Sequence, residues 1–367
     1  MRTAQSDAEP KYQKVFDTLR DEILSGRYQP GEKLPSEVSL KERFGTARVT
    51  VVRAIRELRD SGLIERREGS GTYVRGAKTA GLTFGLLIPN LGQTEIFERI
   101  CRGMADAGGQ HALLWGQSSA GSSLGDEALR LLGQYVERRV DGVFFAPLEF
   151  TDDDEAINRQ VVESLKKARI PVVLLDRCYL PYPERSGYDL VGIDNARAGY
   201  LATEHVLKLG SRRIAFVARA HAASSVAART SGYRNALIDR GLPLDGGLIR
   251  QLDAADKEAV GKLMGEKSPD AIVCATDYVA ANLMHSLIGL GYRVPGDVRM
   301  VGIDDIGFAS FLPAPLTTVH QPCREIGMAA METMLARLAR PKMPVRDVLL
   351  ATQLVVRESS GPPKVNG

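Results

Sequence analysis

Four cysteines, one tryptophan and an aromatic content of only 6% leave little room for several classes of protein. Cys101, Cys178, Cys274 and Cys323 are scattered through apolar segments with no CxxC or Cys/His spacing. A disulfide framework and the common zinc modules are therefore excluded, and buried thiols in a reducing cytoplasm are expected. No apolar run approaches the roughly 18 residues that cross a bilayer, and Met1 to Pro10 is polar, so neither a membrane span nor an export signal is expected. Catalytic signatures are missing too. There is no Walker A, no GxSxG, no HExxH and no glycine-rich dinucleotide fingerprint after the first strand-like run. The Gly116–Gly125 stretch lacks the GK[ST] ending of a phosphate loop, and the five histidines (111, 205, 221, 285, 320) have no ligand spacing. An enzyme, a metal site and a cofactor are all unexpected.

What is present is an ordinary globular composition, 44% hydrophobic and 25% charged, over 367 residues, which calls for two or three folding units. The net charge of +3 is unevenly placed. Residues 1–76 carry 15 basic against 12 acidic side chains, and the rest of the chain balances at 33 of each. Arg43, Arg48, Arg53, Arg56, Arg59, Arg66 and Arg67 fall within 25 residues, against Glu57, Asp60 and Glu65. Such a cluster suits a polyanion, although a solvated helix face has the same composition.

The first 76 residues read as three helices and a hairpin. Tyr12, Val15, Phe16, Leu19 and Ile23 recur at helical steps, with Gly26 as a stop and Pro30-Gly31 as a turn. Ser36 caps a second short helix with Leu40 and Phe44 inward, which Gly45 closes. In a third helix Val51, Ile55 and Leu58 share one stripe while Val49, Arg53 and Arg56 lie opposite. After Ser61-Gly62, two short strands flank Glu68-Gly69-Ser70-Gly71. This is the pattern of a winged helix-turn-helix. The runs LPSE (34–37) and FGTARVTVVRAIRELRDSGLIERREGSGTYV (44–74) resemble the DNA-binding domain of the GntR family of bacterial regulators. The resemblance implies that helix three enters the major groove and the wing tip approaches the minor groove. DNA contacts then fall on Ser36, Arg48, Val49, Thr50, Arg53, Arg67 and Gly69. Two positions depart from the family pattern, Val38 and Val52 standing where arginine is usual, so the operator is expected to differ from the usual half-site.

Beyond a polar connector, 77–81, the texture becomes βαβ alternation. Leu82–Ile88, His111–Trp115, Gly142–Ala146, Val172–Leu175, Ile214–Val217, Ala271–Cys274 and Met300–Ile303 are short apolar runs separated by helical patterns, as in parallel sheets covered on both faces. Ligands of open α/β sheets sit beyond the strand carboxyl ends. There this chain places Asn90, Asp176, Arg177, Asp194, Asn195, Asp277, Asp304, Asp305, His320 and Gln321. Carboxylates, amides and guanidinium groups bind neighbouring hydroxyls, and an aromatic such as Phe97 covers a sugar face; aspartates after strands also cap helices, as Asp194 and Asp277 could. His221 and His320 could line the same cleft.

The motifs LLDR (174–177), VGIDNARAGYLATEHVLKLGSRRIAFV (191–217), ARTSGYRNAL (228–237), CATDYVAANL (274–283), RVPGDVRMVGIDD (293–305) and PLTTVHQPCREIG (315–327) resemble LacI/GalR effector domains, which are similar to periplasmic sugar-binding proteins. That resemblance implies ligand contacts at Phe97, Asp176, Arg177, Arg229, Asp277, Asp304 and Gln321. It also implies a body over 82–358 with one lobe at about 82–190 and 321–341, the other at about 191–320 and 342–357, and a frayed tail over Ser359–Gly367. The whole chain is then an α/β protein with a winged-helix head. A GntR-type head on a LacI-type body resembles arabinose repressors. It implies a cytoplasmic homodimer that binds operator DNA and a small effector, most simply a sugar that releases it. A corepressor version taking a nucleobase or sugar phosphate, and an enzyme fused to a DNA-binding head, are the alternatives.

Overall fold

The computed structural model describes residues 11–24, 27–29, 31–60, 63–67, 70–74, 81–88, 91, 95–116 and 123–362. Gly26, Pro30, Ser61-Gly62, Glu68-Gly69, Asn90, most of the 77–81 connector, the middle of the Gly116–Gly125 stretch and residues 363–367 lie outside them. The chain divides into two units at Gly81/Leu82.

In the first unit, α1 (Lys11–Leu24), α2 (Glu37–Phe44) and α3 (Arg48–Asp60) are followed by an antiparallel hairpin of β1 (Ile64–Arg67) and β2 (Gly71–Val74). The ends of α2 are set by local chemistry. Ser36 Oγ accepts from the Ser39 N–H, Glu37 sits in the first turn, and Gly45 takes the left-handed conformation (φ 57°) that ends the helix. Val51, Ala54 and Leu58 of α3 are fully buried against Val15, Leu19 and Leu40, while Val49 is 74% exposed. One stripe of α3 builds the core and leaves the other face to solvent.

The second unit holds two six-stranded sheets. The first has the order β13-β7-β6-β5-β3-β4, all parallel, from β3 (Thr83–Leu87), β4 (Ala112–Leu114), β5 (Gly142–Phe145), β6 (Val172–Leu175), β7 (Asp189–Ile193) and β13 (Asp347–Leu350). The second has the order β14-β12-β11-β10-β8-β9, from β8 (Ile214–Ala218), β9 (Ile249–Gln251), β10 (Ala271–Cys274), β11 (Arg299–Asp304), β12 (Thr317–His320) and β14 (Gln353–Val355), with only β14 antiparallel. Runs such as GVFF, VVLL, IAFVA and AIVC are buried at every residue, because helices cover both faces. In the first lobe these helices are α4 (Glu95–Gly108), α5 (Leu124–Glu137), α6 (Asp154–Lys167) and α11 (Cys323–Ala339). In the second they are α7 (Asn195–Lys208), α8 (Ser224–Asp239), α9 (Lys257–Lys267) and α10 (Asp277–Gly289).

Two expectations need correction. The sequence reading divides the lobes at residue 191 and places 342–357 in the second lobe. Instead β7 stays in the first sheet through Ile193, and β13 returns there to pair with it, so only the chain beyond Leu350 enters the second lobe. The cause is Asp189, 1% exposed, whose carboxylate accepts from Arg337 Nε (2.9 Å) and the Arg346 N–H (2.9 Å), fixing the chain before β13 to the sheet edge. Nor is the start of the tail frayed. Ser359 and Ser360 are fully buried, and Arg299 donates to the carbonyls of Ser360 (2.7 Å) and Pro362. Ser359 Oγ accepts from the Thr317 N–H and donates to the Met300 carbonyl.

Candidate effector cleft and nucleic-acid interface

On the head, the α3 side chains expected to meet DNA face solvent. Arg48 pairs loosely with Glu37 (3.3 Å), Val49 stands free of the core, and Thr50 is half-buried. Arg53 lies over the Tyr12 ring (3.6 Å to the centroid) and 3.5 Å from Glu57, held outward yet 60% exposed. Arg67 in β1 stacks on Tyr73 (4.6 Å) beside Glu65. Ser36 is the α2 cap, and Gly69 lies outside the described residues. Not all of the basic cluster is on offer: Arg43 is joined to Glu22 of α1 and stacks on Phe44, which ties α1 to α2. Val38 and Val52, where the family pattern has arginine, are 62% and 40% exposed.

In the body, strand ends deliver polar groups to the space between the lobes. Asp304, at the end of β11, accepts from Gln321 Nε2 (2.6 Å) and lies 3.4 Å from Arg229 Nη2. Arg229, on α8, also donates to Asn195 Oδ1 (2.8 Å) and to the Ala275 carbonyl (2.6 Å). Arg229, Asp304 and Gln321 are 3%, 7% and 1% exposed, so a charged, mutually bonded cluster fills the second-lobe side. Across from it, Asp176 at the end of β6 is 4% exposed with Oδ1 unpartnered. Its neighbour Arg177 bonds the Pro147 carbonyl (2.8 Å), pairs with Glu149 (2.8 Å) and lies 5.5 Å from the centroid of the buried Phe97 ring.

Asp176, Asp304 and Asp305 take positive φ (66°, 133° and 56°), unusual for side-chain-bearing residues and of the kind that collects at ligand sites. Burial pushes Asp304 up, opposed by the Arg229 charge and reinforced by Asp277 and Asp176. Asp277 is raised by burial as well.

Not every expected site residue joins this group. Asp277 accepts from Thr318 Oγ1 (2.6 Å) and the Ile306 N–H (3.1 Å), bracing the loop after β11 from behind, and the α10 cap is Thr276 rather than Asp277. Asp194 is the α7 cap. His320 pairs with Asp305 (2.9 Å) and His221 with Asp152 (3.2 Å). Residues outside the expected set do join the lobes. Both Glu95 oxygens accept from the Gly307 N–H (2.9 and 2.8 Å), Glu149 accepts from the Ala223 N–H (3.2 Å), and Ser224 Oγ donates to the Cys178 carbonyl (2.7 Å). Glu95 opens α4 and Glu149 lies four residues past β5, and a lone glutamate in such a place carries no local signal of which backbone N–H it will meet.

A helix-turn-helix head on a two-lobed α/β body with a polar cleft defines a DNA-binding regulator. Residues 11–74 match the gntR family of bacterial regulatory proteins, and residues 203–360 match the periplasmic binding protein-like domain. The chain is a transcriptional regulator made of these two parts. It is 26% identical to the arabinose metabolism transcriptional repressor of Geobacillus stearothermophilus, over 96% of this chain and 98% of that one. It is 32% identical to the HTH-type transcriptional regulator DegA of Bacillus subtilis, over 62% and 66% of the two chains. Among solved structures, the transcriptional regulator CelR–cellobiose complex matches with a TM-score of 0.64 and 25% identity, covering 96% of this chain and 100% of that one. Among the described residues, no helix is long and apolar enough to cross a membrane.

Proposed function

We propose that the protein is a homodimeric repressor that acts in the cytoplasm and leaves its operator when a sugar binds between the lobes. The head is taken as 1–76, the connector as 77–81 and the body as 82–358 together with the packed residues 359–362. The carrying observation is the buried oxygen of Asp176 without a partner, within electrostatic reach of Asp304 and its amide and guanidinium partners. Unmet acceptors beside planar polar groups suit hydroxyl donors, and Arg177 over the Phe97 ring would form a wall for a sugar ring. Arg229, Asp304 and Gln321 would hold hydroxyls from the second lobe, Asp176 and Arg177 from the first, with Asp277 behind them as support. The repressor of arabinose metabolism among its full-length relatives supports a sugar as the effector.

On DNA, Arg48, Val49, Thr50 and Arg53 of α3 would face base edges, with Ser36 at the backbone and Arg67 and Gly69 on the wing. Two heads related by a twofold axis would read a pseudo-palindrome. A sugar that prefers the closed body and a DNA that prefers the other head spacing oppose each other by the same factor, typically about 1–3 kcal/mol. Titrating monosaccharides into an operator shift assay should release the DNA. Tighter binding would establish a corepressor, and no effect from any saccharide would reject induction by sugar.

A further inference from the structure

A cavity of about 260 Å³ opens where the two lobes meet, beside the polar cluster and distinct from it. Asp154 at the start of α6 and the rings of Tyr179 and Tyr182 line it from the first lobe, and Ser224 and Ala227 of α8 from the second. Arg177 belongs to both spaces, since it lines this cavity and also contacts Asp176 and Phe97. The volume is just below the roughly 300–1,000 Å³ of complete small-molecule sites, which suits one ring-sized group continuing from a neighbouring site.

The charges of the wall narrow what that group is. Asp154 and Glu155, with Asp152 and Asp153 just before them in the chain, disfavour a phosphate or carboxylate, while Arg177 disfavours a cation. A neutral, polar group remains. Burial raises the Asp154 carboxyl, which keeps an acceptor partly out of water. Ser224 spends its proton on the Cys178 carbonyl and so offers lone pairs. Ala223, the residue before α8, makes no side-chain cap bond; with the Ala223 N–H on Glu149 and the Val226 N–H on the Ala223 carbonyl, the Ser224 and Ser225 N–H groups are the first-turn donors beside the same wall. Tyr182, 45% exposed, supplies an aromatic face of the kind that covers the C–H side of a pyranose or furanose. Acceptors, donors and an aromatic plate around one ring-sized space are the ingredients of a carbohydrate subsite.

We propose that this cavity holds the second unit of a di- or oligosaccharide effector whose first unit lies among Asp304, Arg229, Gln321 and Asp176. The proposal rests on the sugar reading above and sharpens it: the regulator senses a glycosidically linked saccharide in preference to its free monosaccharides. Occupying a cavity walled by both lobes also adds contacts that exist only when the lobes are together, so the second unit strengthens closure as well as affinity.

The test is calorimetric titration of the full chain with arabinose, xylose, glucose and galactose, and with the disaccharides arabinobiose, xylobiose, cellobiose, maltose and melibiose. At least one disaccharide should bind about tenfold or more tightly than its constituent monosaccharides. Ala227→Phe, which fills the cavity without touching the polar cluster, should abolish that advantage and leave the monosaccharide affinity unchanged. Tyr182→Ala, which cannot overpack, should reduce it in the same direction. Monosaccharides that bind as tightly as every disaccharide, or an advantage that survives both variants, would overturn the subsite and leave the sugar reading standing. If no saccharide of either size binds the wild-type chain, both fall together. Thermal melts of each variant separate a filled cavity from a misfolded body.

Discussion

The two lobes of the body share a scaffold and differ in how they hold polar groups. In each, a pair of helices crosses so closely that glycine is required. Gly199 and Gly232 join α7 to α8 in the second lobe, and Gly103 and Gly327 join α4 to α11 in the first; a Cβ at any of them would lie 1.8–2.0 Å from a carbonyl oxygen of the partner helix. The cleft groups diverge on this common frame. The second lobe bonds Arg229, Asn195, Asp304 and Gln321 to one another, whereas the first leaves Asp176 incompletely satisfied and sends Glu95 and Glu149 across to backbone N–H groups of its neighbour. One half is a preorganised receptor. The other carries the groups whose partners depend on closure.

The sharpest way to break this contrast is to remove a guanidinium from each side. Arg229→Ala leaves Asp304 buried beside Asp277 without a cation and should cost about 3–5 kcal/mol in chemical denaturation. Arg177→Ala should cost less, because its closer partner Glu149 is partly exposed and can be hydrated, and its contact with the buried Asp176 is long at 3.4 Å. Equal losses would mean the two sides are built alike.

Next in size is the crossing glycine. In an open helix Gly→Ala stabilises by about 1 kcal/mol. Gly232→Ala drives a methyl into the Ala196 carbonyl and should instead destabilise by about 1–3 kcal/mol, with Gly103→Ala doing the same in the other lobe. Raised melting temperatures for either would show that the helices can part at little cost.

A smaller effect follows from pH. Asp304 is pushed up to about 7 and Asp277 to about 6, chiefly by burial. The native state therefore holds protons that the unfolded chain releases from about pH 4 upward, so stability should decline as pH rises toward 7 and level off beyond it. Asp304→Asn should flatten the upper part of that decline, as read from melting temperature against pH. Stability that climbs from pH 5 to 7 in wild type but not in the variant would reverse the assignment.

The smallest expected change is at the lip. Glu95→Gln should alter stability by less than about 1 kcal/mol, since Glu95 is partly exposed and retains one acceptor for the Gly307 N–H. Scattering should nonetheless detect a more open body. An unchanged shape would remove Glu95 from the set of closing contacts.

Much of this was legible beforehand, for reasons that differ between regions. In the head, helix periods, Ser36 and Gly45 fix elements through neighbours within four residues, and the exposed α3 face followed from the buried one. All seven apolar runs of the body became strands. Five further strands lie outside those runs: β7, β9, β12, β13 and β14. Three of these, β9, β13 and β14, sit at sheet edges, are three or four residues long, and bury less than the central strands, so no apolar run announces them. Asp277 illustrates the limit at the site. Like Asp176 and Asp304 it lies near the carboxyl end of a strand, yet Thr318 and the Ile306 N–H claim its carboxylate.

The order of hydrophobic and polar residues by itself determined a basic helical head, a βαβ body and the strand ends where polar side chains gather, because those features arise from period and from partners close in the chain. Which of those side chains meet was decided only when the chain had crossed between the lobes three times. Arg229 finds Asp304 75 residues away, and Glu95 finds Gly307 across 212 residues. The glycines that let helices touch are likewise explained only by the backbone on the other side. Contacts of that range are set by packing and shared burial, which no local pattern encodes.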